Sequence, residues 1–138
     1  MTSSQNKSAQ SKSAWIPVVL YMALIFILSS LPGSTPILQS LEKYVWDKLL
    51  HLLEYFVLGI LLVRALALNF KYRSLEHLIF MVFVFGGLYG LSDEWHQSFV
   101  PLRDSNLYDW MADSTGVLLG AAFLGQKIVK NSKREQSA

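Results

Sequence analysis

The chain has 138 residues, of which 52% are hydrophobic and only 16% are charged, against about 25% charged residues in an average soluble domain. This composition excludes a disordered or fibrous chain, and the lack of cysteine excludes disulfides, thiol catalysis and cysteine-based zinc sites. The net charge of +2 comes without a dense basic stripe, so no nucleic acid is expected as a partner. A hydrophobic chain of this length is expected to lie in a lipid bilayer.

The first apolar segment follows a polar start. Residues 1–14 predict a disordered tail. Residues 15–31 carry no charge, and as a helix they are long enough to span a hydrocarbon core of about 30 Å. A cleaved signal peptide is the alternative, but the length of the run and the lack of an A-x-A-like site after it favour a spanning helix.

Three further segments are long enough to cross a bilayer, and each has acidic residues near one end. They are residues 47–68, 75–97 and 107–129. The middle of the second and third helices is apolar on every face, whereas a soluble bundle helix would show a polar stripe. The sequence therefore predicts an all-α, four-helix transmembrane domain over residues 15–129, with a basic cytoplasmic tail at 130–138.

The loop charges predict an orientation. With four spans, both tails share a side with the loop between the second and third helices. That side has eight basic residues and the other side has three. The eight are Lys7, Lys12, Lys71, Arg73, Lys127, Lys130, Lys133 and Arg134, and the three are Lys43, Lys48 and Arg103. Because basic loops stay in the cytoplasm, we expect both termini there and a multi-pass protein of the bacterial cytoplasmic (inner) membrane.

Two further helix starts carry local signals. Thr35 followed by Pro36 is an N-cap with proline at the first helical position. Apolar residues then recur at helical spacing at Ile37, Leu38, Leu41, Tyr44 and Val45. They predict a short amphipathic helix on the outer membrane surface. Asn106 is the expected N-cap of the fourth helix, with Asp109 near its positive end.

The predicted topology brings polar residues from several segments to the outer end of the bundle. They are Ser29 and Ser30; Asp47, Lys48, His51 and Glu54; Ser92, Asp93, Glu94, His96 and Gln97; Arg103 and Asp104; and Asp109 and Asp113. Helical spacing puts Asp47, His51 and Glu54 on one face, and Asp93 and Gln97 on another. Ionisable residues at membrane depth are costly, so they are candidates for a functional site.

The fourth helix combines acidic residues with a packing face. Asp109, Asp113, Gly116 and Gly120 share one side of this helix, and the spacing of the two glycines permits close helix contact. The acidic face is therefore expected to point into the bundle.

These residues form a recognisable pattern. Its segments are Asp47-Lys48-x-x-His51-x-x-Glu54-Tyr55, Gly90-Leu91-Ser92-Asp93-Glu94-x-x-Gln97-x-Phe99-x-Pro101-x-Arg103 and Asp109-x-x-Ala112-Asp113-x-x-Gly116, with Ser29-Ser30-x-Pro32 after the first helix. The pattern resembles the VanZ-like family of small bacterial integral membrane proteins over about residues 15–125. Asp113 stands where many members carry Asn. The resemblance implies a role in the cell envelope and, through the member that named the family, a link to teicoplanin resistance.

One hypothesis is a pocket that binds or processes an envelope-associated ligand, either lipid-linked or with an anionic headgroup. The candidate binding residues are Arg103, Asp93, Gln97, Asp109 and Asp113, and the candidate acid–base residues are Glu94, Glu54 and His51. A divalent cation is a further candidate, with Asp93, Glu94 and His51 as its ligands.

Two other hypotheses assign the polar cluster a different role. In a non-enzymatic scaffold or interaction protein, Arg103 would form structural ion pairs with Glu54 or Asp113. A proton or solute path is disfavoured, because Arg64 is the only ionisable group in the cytoplasmic half of the predicted spans that lies deeper than the terminal helical turn. The sequence leaves open whether the site is catalytic and whether the chain forms oligomers.

Overall fold

The computed structural model describes residues 11–36, 39–40 and 46–136. This part of the chain is all-helical, with no strand, and has four long helices. They are α1 at Trp15–Ser29, α2 at Asp47–Asn69, α3 at Leu75–Gln97 and α4 at Leu107–Gln136. The predicted all-α class with four helices is confirmed.

Consecutive helices run antiparallel. Ser11, just before α1, donates a hydrogen bond of 2.5 Å to Asn69 at the end of α2. Further along α1, the Tyr21 hydroxyl donates to the backbone oxygen of Glu54 near the start of α2, at 3.1 Å. The corresponding neighbours of α3 and α4 are Gly90 with Asp113, and Leu75 with Gly125. The ends of α1 and α3 therefore meet the starts of α2 and α4, and we call this part of the molecule the acidic end.

Helices α2 and α4 run parallel and in close contact. A Cβ atom on Gly116 would lie 2.3 Å from the carbonyl oxygen of Leu52, and one on Gly120 would lie 2.1 Å from that of Phe56. No larger side chain fits at either position without moving the backbones apart. The predicted packing face of α4 is confirmed, and it places Asp109 and Asp113 beside the start of α2.

The apolar core lies beyond the acidic end. It is formed mainly by α2, and its fully buried members include Leu58, Val63 and Leu66 of that helix. Val82 of α3 and Val117 of α4 pack into the same cluster. The polar and apolar halves of the bundle are thus separated along its length.

Three helices are long and apolar enough to cross a membrane, judged by length and composition. They are Ser11–Ser29, Asp47–Asn69 and Leu75–Gln97. Apolar side chains on α1 are widely exposed, as at Leu20 with 66% of its surface accessible. The predicted fourth span, α4, is not one of the three, and it combines acidic residues at its start with Lys127, Lys130 and Arg134 in its last part. The helices are compatible with a membrane protein.

The chain ends differ in part from expectation. The predicted disordered tail falls mostly on residues 1–10, which lie outside the described residues, while residues 11–13 are helical. At the other end, the segment after Val129 is helical as far as Gln136. No glycine or proline occurs between Gln126 and Gln136, so nothing in the local sequence terminates α4 earlier.

The predicted amphipathic helix of the first loop lies largely outside the described residues, at 37–38 and 41–45. Within the described part, Pro36, Gln39 and Ser40 are helical. The Gln39 N–H donates to the Thr35 carbonyl oxygen at 3.1 Å, which is the hydrogen bond of a first helical turn.

Candidate functional site

The acidic end contains most of the buried polar side chains of the described chain. They are Ser29, His51, Asp93, Glu94, Gln97, Asp109, Asp113 and Ser114. Asp113 is completely inaccessible, and Glu94 retains only 5% of its surface. Asp104, by contrast, is exposed, and Asp47 is half-buried. Most of the predicted site residues therefore face the interior of the bundle.

A buried histidine–carboxylate pair joins α2 to α4. The Nδ1 atom of His51 lies 2.9 Å from Oδ1 of Asp113. Its other ring nitrogen, Nε2, is 4.0 Å from Oδ1 of Asp47, one turn earlier in α2. The predicted common face of Asp47 and His51 is confirmed, and the imidazole lies between two carboxylates.

A second ion pair lies one turn further towards the end of the bundle. The Lys48 ammonium group contacts Oδ1 of Asp109 directly and lies 3.7 Å from Oδ2 of Asp47. Asp109 is almost completely buried, so its charge depends on Lys48 for compensation. The parallel packing of α2 and α4 brings both pairs together.

Asn106 organises the start of α4 and holds Glu94. Its side-chain oxygen accepts hydrogen bonds from the N–H groups of Tyr108 and Asp109, at 2.9 and 3.1 Å. The predicted N-cap is therefore confirmed. The backbone N–H of Asn106 donates to Oε2 of Glu94 at 3.0 Å. The other oxygen of Glu94, Oε1, is buried and has no hydrogen-bond partner in the described chain.

Asp93 points to a different part of the interior from Glu94. Its Oδ2 accepts a hydrogen bond of 2.9 Å from the Gln97 amide, which confirms their common face. Adjacent residues on a helix point in directions about 100° apart. The structure brings His51 and Glu94 together with Asp113 rather than Asp93, with one ligand atom from each within 4.8 Å of the others.

Arg103 binds backbone carbonyl groups at the end of α1. Its Nε donates to the Leu31 oxygen at 3.2 Å, and Nη2 donates to the Leu28 oxygen at 3.1 Å. Neither Glu54 nor Asp113 forms an ion pair with Arg103 among the residues placed by the structure. In place of the Arg103 ion pairs of the scaffold hypothesis, the structure has contacts that connect the α3–α4 loop to α1.

A tight contact between two loops positions Arg103. The Gly33 N–H donates to the Pro101 carbonyl oxygen at 3.1 Å. Leu102 has a φ of 59°, an uncommon value for a residue with a side chain. A Cβ on Gly33 would lie 1.8 Å from the Leu102 carbonyl oxygen, so this approach requires glycine.

Two tyrosines belong to the site, although sequence reasoning assigned them no role. The Tyr21 hydroxyl contacts the Glu54 backbone from α1. Tyr55 is fully buried, and its hydroxyl has no hydrogen-bond partner in the described chain. Tyr55 follows His51 by one helical turn, and this spacing was the signal that could have identified it.

A cavity of about 360 Å³ opens between α1, α2 and the α3–α4 loop. Its apolar lining includes Leu28, Leu50 and Leu53, and its polar lining includes His51, Glu54 and Arg103. A neighbouring space of about 250 Å³ shares His51 and Arg103 with it. Glu94 lines neither space. The cavity can therefore accommodate a molecule with both apolar and charged parts.

Comparison with known proteins gives one match. The model of the family described as VanZ/LLP1 matches residues 2–128. The matched range includes every residue of the acidic end. No curated protein and no solved structure matches the chain.

Proposed function

The chain belongs to the VanZ/LLP1 family, and from this premise we propose that it is an integral membrane protein that binds an envelope-associated, anionic headgroup. The observation that carries the proposal is the position of Arg103. Its cationic side chain lines the cavity, and no carboxylate of the described chain lies within ion-pair distance of it.

Four membrane spans are proposed, with α4 as the fourth. The support is that α4 packs along α2, with Gly116 and Gly120 against the backbone between Leu52 and Ile60. A helix in parallel contact with a spanning helix lies at the same depth in the bilayer. Exposed aromatic residues lie near both ends of the bundle, with Trp46, Trp95, Phe99 and Tyr108 at the acidic end and Phe70 at the other. Such residues are typical of the two membrane interfaces.

The four proposed spans also lead to a proposed orientation of the protein in the membrane. Four spans place both termini and the loop with Lys71 and Arg73 in the cytoplasm, where basic residues are favoured. The acidic end then opens to the outer side of the bacterial cytoplasmic membrane. The ligand would reach the cavity from the outer leaflet or from the cell wall.

The chemistry of the cavity supports a lipid-linked anion. Arginine is suited to phosphate and carboxylate groups because its planar guanidinium group forms two parallel hydrogen bonds with them. Arg103 uses Nε and one N–H of Nη2 for Leu31 and Leu28, which fixes its orientation and leaves Nη1 and the second N–H of Nη2 for a ligand. Leu50 and Leu53 offer apolar surface for a hydrocarbon chain.

The carboxylate of Glu54 also faces the cavity. It forms no ion pair or side-chain hydrogen bond within the described chain. Its proposed role is to accept hydrogen bonds from hydroxyl or amine groups of the ligand. Glu54 and His51 both line the cavity and are candidate acid–base groups, so they are the residues to test for turnover.

The test uses full-length protein in detergent, with Arg103→Ala compared with Arg73→Ala. Phosphatidylglycerol is the anionic probe and phosphatidylcholine is the zwitterionic control. We expect phosphatidylglycerol to raise the melting temperature of the wild type and of the exposed-site control, but not of Arg103→Ala. Equal responses of the two variants would refute headgroup binding at Arg103. Teicoplanin sensitivity of cells is the accompanying phenotype, because the family resemblance points to it.

A structural scaffold is the second candidate function. Its specific support is the pair of ion contacts, His51 with Asp113 and Lys48 with Asp109, which join α2 to α4. In that case the polar groups stabilise the bundle, and Glu54→Gln would change neither lipid binding nor the cellular phenotype. If lipid binding and the cellular phenotype are the same in Glu54→Gln, in Arg103→Ala and in the wild type, the scaffold function is favoured.

A further inference from the structure

Three helices each contribute one potential metal ligand at the acidic end. His51 comes from α2, Glu94 from α3 and Asp113 from α4, and one donor atom of each lies within 4.8 Å of the other two. We propose that these three residues bind one divalent transition-metal ion, and that Zn²⁺ is the ion they fit best. This inference goes beyond headgroup binding, since it depends on none of the cavity residues except His51.

The distances suit a common ion. Two donor atoms bound at about 2.1 Å to one metal lie about 3.0 to 3.4 Å apart for bond angles between about 90° and 109°. The Nδ1 atom of His51 and Oδ1 of Asp113 are 2.9 Å apart. This separation fits a hydrogen bond, and it also fits neighbouring positions on a metal. Small side-chain movements would bring Glu94 into the same coordination sphere.

Two buried carboxylate oxygens in the group have no partner within the described chain. They are Oε1 of Glu94 and Oδ2 of Asp113. Glu94 is 95% buried and Asp113 is wholly buried. Buried acceptors are almost always hydrogen-bonded or bound to an ion, because an unsatisfied one is costly. A metal ion between the two carboxylates would compensate both at once.

A third buried polar group without a partner, the Tyr55 hydroxyl, belongs to the surroundings of the three proposed ligands. A Cβ atom on Gly90 would lie 3.3 Å from Oδ2 of Asp113 and 3.3 Å from the ring edge of Tyr55. The Tyr55 ring and the unpartnered oxygen of Asp113 therefore both lie against Gly90. The Tyr55 hydroxyl group also has no partner among the described residues. A water molecule on the metal would give this hydroxyl a hydrogen-bond partner.

The local charges also favour a cation. Six carboxylates lie on the helices at the acidic end, on Asp47, Glu54, Asp93, Glu94, Asp109 and Asp113. Lys48 is taken by Asp109, and Arg103 by backbone oxygens. Glu94 has no cationic partner in the described chain, and the only one of Asp113 is His51. A divalent ion would supply the missing positive charge.

A second trio, Asp47, His51 and Asp109, has the same spacing. Its Asp109 already contacts Lys48, whose ammonium group would repel a metal ion. The trio with Glu94 contains no lysine. The Glu94 carboxylate is also held in place, because the Asn106 N–H donates to Oε2 and leaves Oε1 for the metal.

The donor types select the kind of metal. One imidazole nitrogen and two carboxylate oxygens match a three-ligand zinc site with an open position. Mg²⁺ and Ca²⁺ prefer oxygen ligands alone, so a histidine ligand disfavours them. The site would therefore bind Zn²⁺ more tightly than Mg²⁺ or Ca²⁺.

The first experiment measures metal binding directly. Full-length protein in detergent is stripped with a chelator, incubated with Zn²⁺ or Mg²⁺, desalted and analysed for metal content. We expect about one Zn²⁺ per chain, no retained Mg²⁺ and a Zn²⁺-dependent rise in melting temperature. X-ray absorption should report one imidazole among oxygen ligands. No bound zinc, or zinc held by several imidazoles, would overturn the proposal.

The second experiment assigns the ligands. His51→Gln, Glu94→Gln and Asp113→Asn should each lower zinc affinity by at least about 10-fold, while His77→Gln at the other end of α3 should leave it unchanged. Circular dichroism in chelator identifies variants that do not fold. For those positions, the X-ray absorption spectrum of the zinc-bound wild type decides whether the residue type is a ligand. Undiminished zinc affinity in the folded ligand variants would refute the site. Arg103→Ala should retain zinc, which separates this proposal from headgroup binding.

Discussion

Lys48, at the start of α2, forms an ion pair with Asp109, at the start of α4, although 61 residues separate them in the chain. The lysine side chain is partly accessible, whereas the aspartate is nearly inaccessible. Replacing Lys48 therefore leaves a buried, uncompensated carboxylate on Asp109.

Lys48→Met should destabilise the bundle by about 2–4 kcal/mol, somewhat less than the about 3–5 kcal/mol of a fully buried pair, because Lys48 is partly exposed. The double variant Lys48→Met with Asp109→Leu should recover most of this loss. Thermal unfolding in detergent measures both, with exposed Lys71→Met as the control. A single Lys48 variant as stable as the wild type would show that the pair contributes little.

The glycines of the bundle provide a matched pair of alanine variants. A Cβ on Gly120 would lie 2.1 Å from the Phe56 oxygen, so Gly120→Ala should force α2 and α4 apart and cost about 1–3 kcal/mol. At Gly87 the nearest atoms would lie at 3.8 Å, and Gly87→Ala should stabilise α3 by up to about 1 kcal/mol. Thermal unfolding compares the two, and equal effects would contradict the close helix contact.

The backbone of Leu102 offers a test of loop strain. Its left-handed conformation costs a residue with a side chain about 1 kcal/mol, and its side chain is 78% exposed. Leu102→Gly should therefore leave the protein as stable or slightly more stable. Leu107→Gly, at another exposed position, in the first turn of α4, should destabilise it. The same direction of change in both variants would exclude strain at Leu102.

Neutralising Glu94 distinguishes a functional carboxylate from a structural one. Glu94 has no cationic partner within the described chain, so Glu94→Gln removes a desolvated charge and keeps an oxygen for the Asn106 N–H. In chelator, the variant should unfold at the same or a higher temperature than the wild type. A loss of about 3–5 kcal/mol, restored by a charge-swapped partner at Arg103, would instead identify a structural ion pair.

Reporter fusions test the proposed orientation. Fusions at the C-terminus and in the loop at residues 70–74 should be cytoplasmic, and a fusion in the loop at residues 33–44 should be external. Four spans require this alternation, whereas three spans would put the C-terminus outside. An external C-terminus would also remove α4 from the membrane.

Much of this architecture follows from local patterns in the sequence. Asn106 is recognisable as an N-cap because a side-chain acceptor at that position satisfies the first amide groups of a helix. The face shared by Asp93 and Gln97 follows from helical periodicity alone. The spacing of Gly116 and Gly120 in α4 predicts close helix packing. These features depend on residues within one or two turns of each other.

The partners of charged residues were less predictable. The scaffold hypothesis paired Arg103 with a carboxylate, but Arg103 binds the carbonyl groups of Leu28 and Leu31. The loop that carries Arg103 includes the left-handed backbone of Leu102, and a leucine side chain does not predict this conformation. Which acid meets which base depends on how two distant helices are aligned, and spacing along one helix carries no such information.

The pairing of α2 with α4 has a consequence for biosynthesis. Asp109 and Asp113, the partners of Lys48 and His51, are made some 60 residues later, as the separations of 61 and 62 show. α1 carries no charge, so in the proposed arrangement it can stay in the bilayer without partners. In the proposed four-span arrangement, Lys48 and His51 of α2 lack their α4 partners until the last helix is made. In a chain truncated before Asn106, α2 should therefore be unstable in the membrane, and quality-control proteases should degrade the chain.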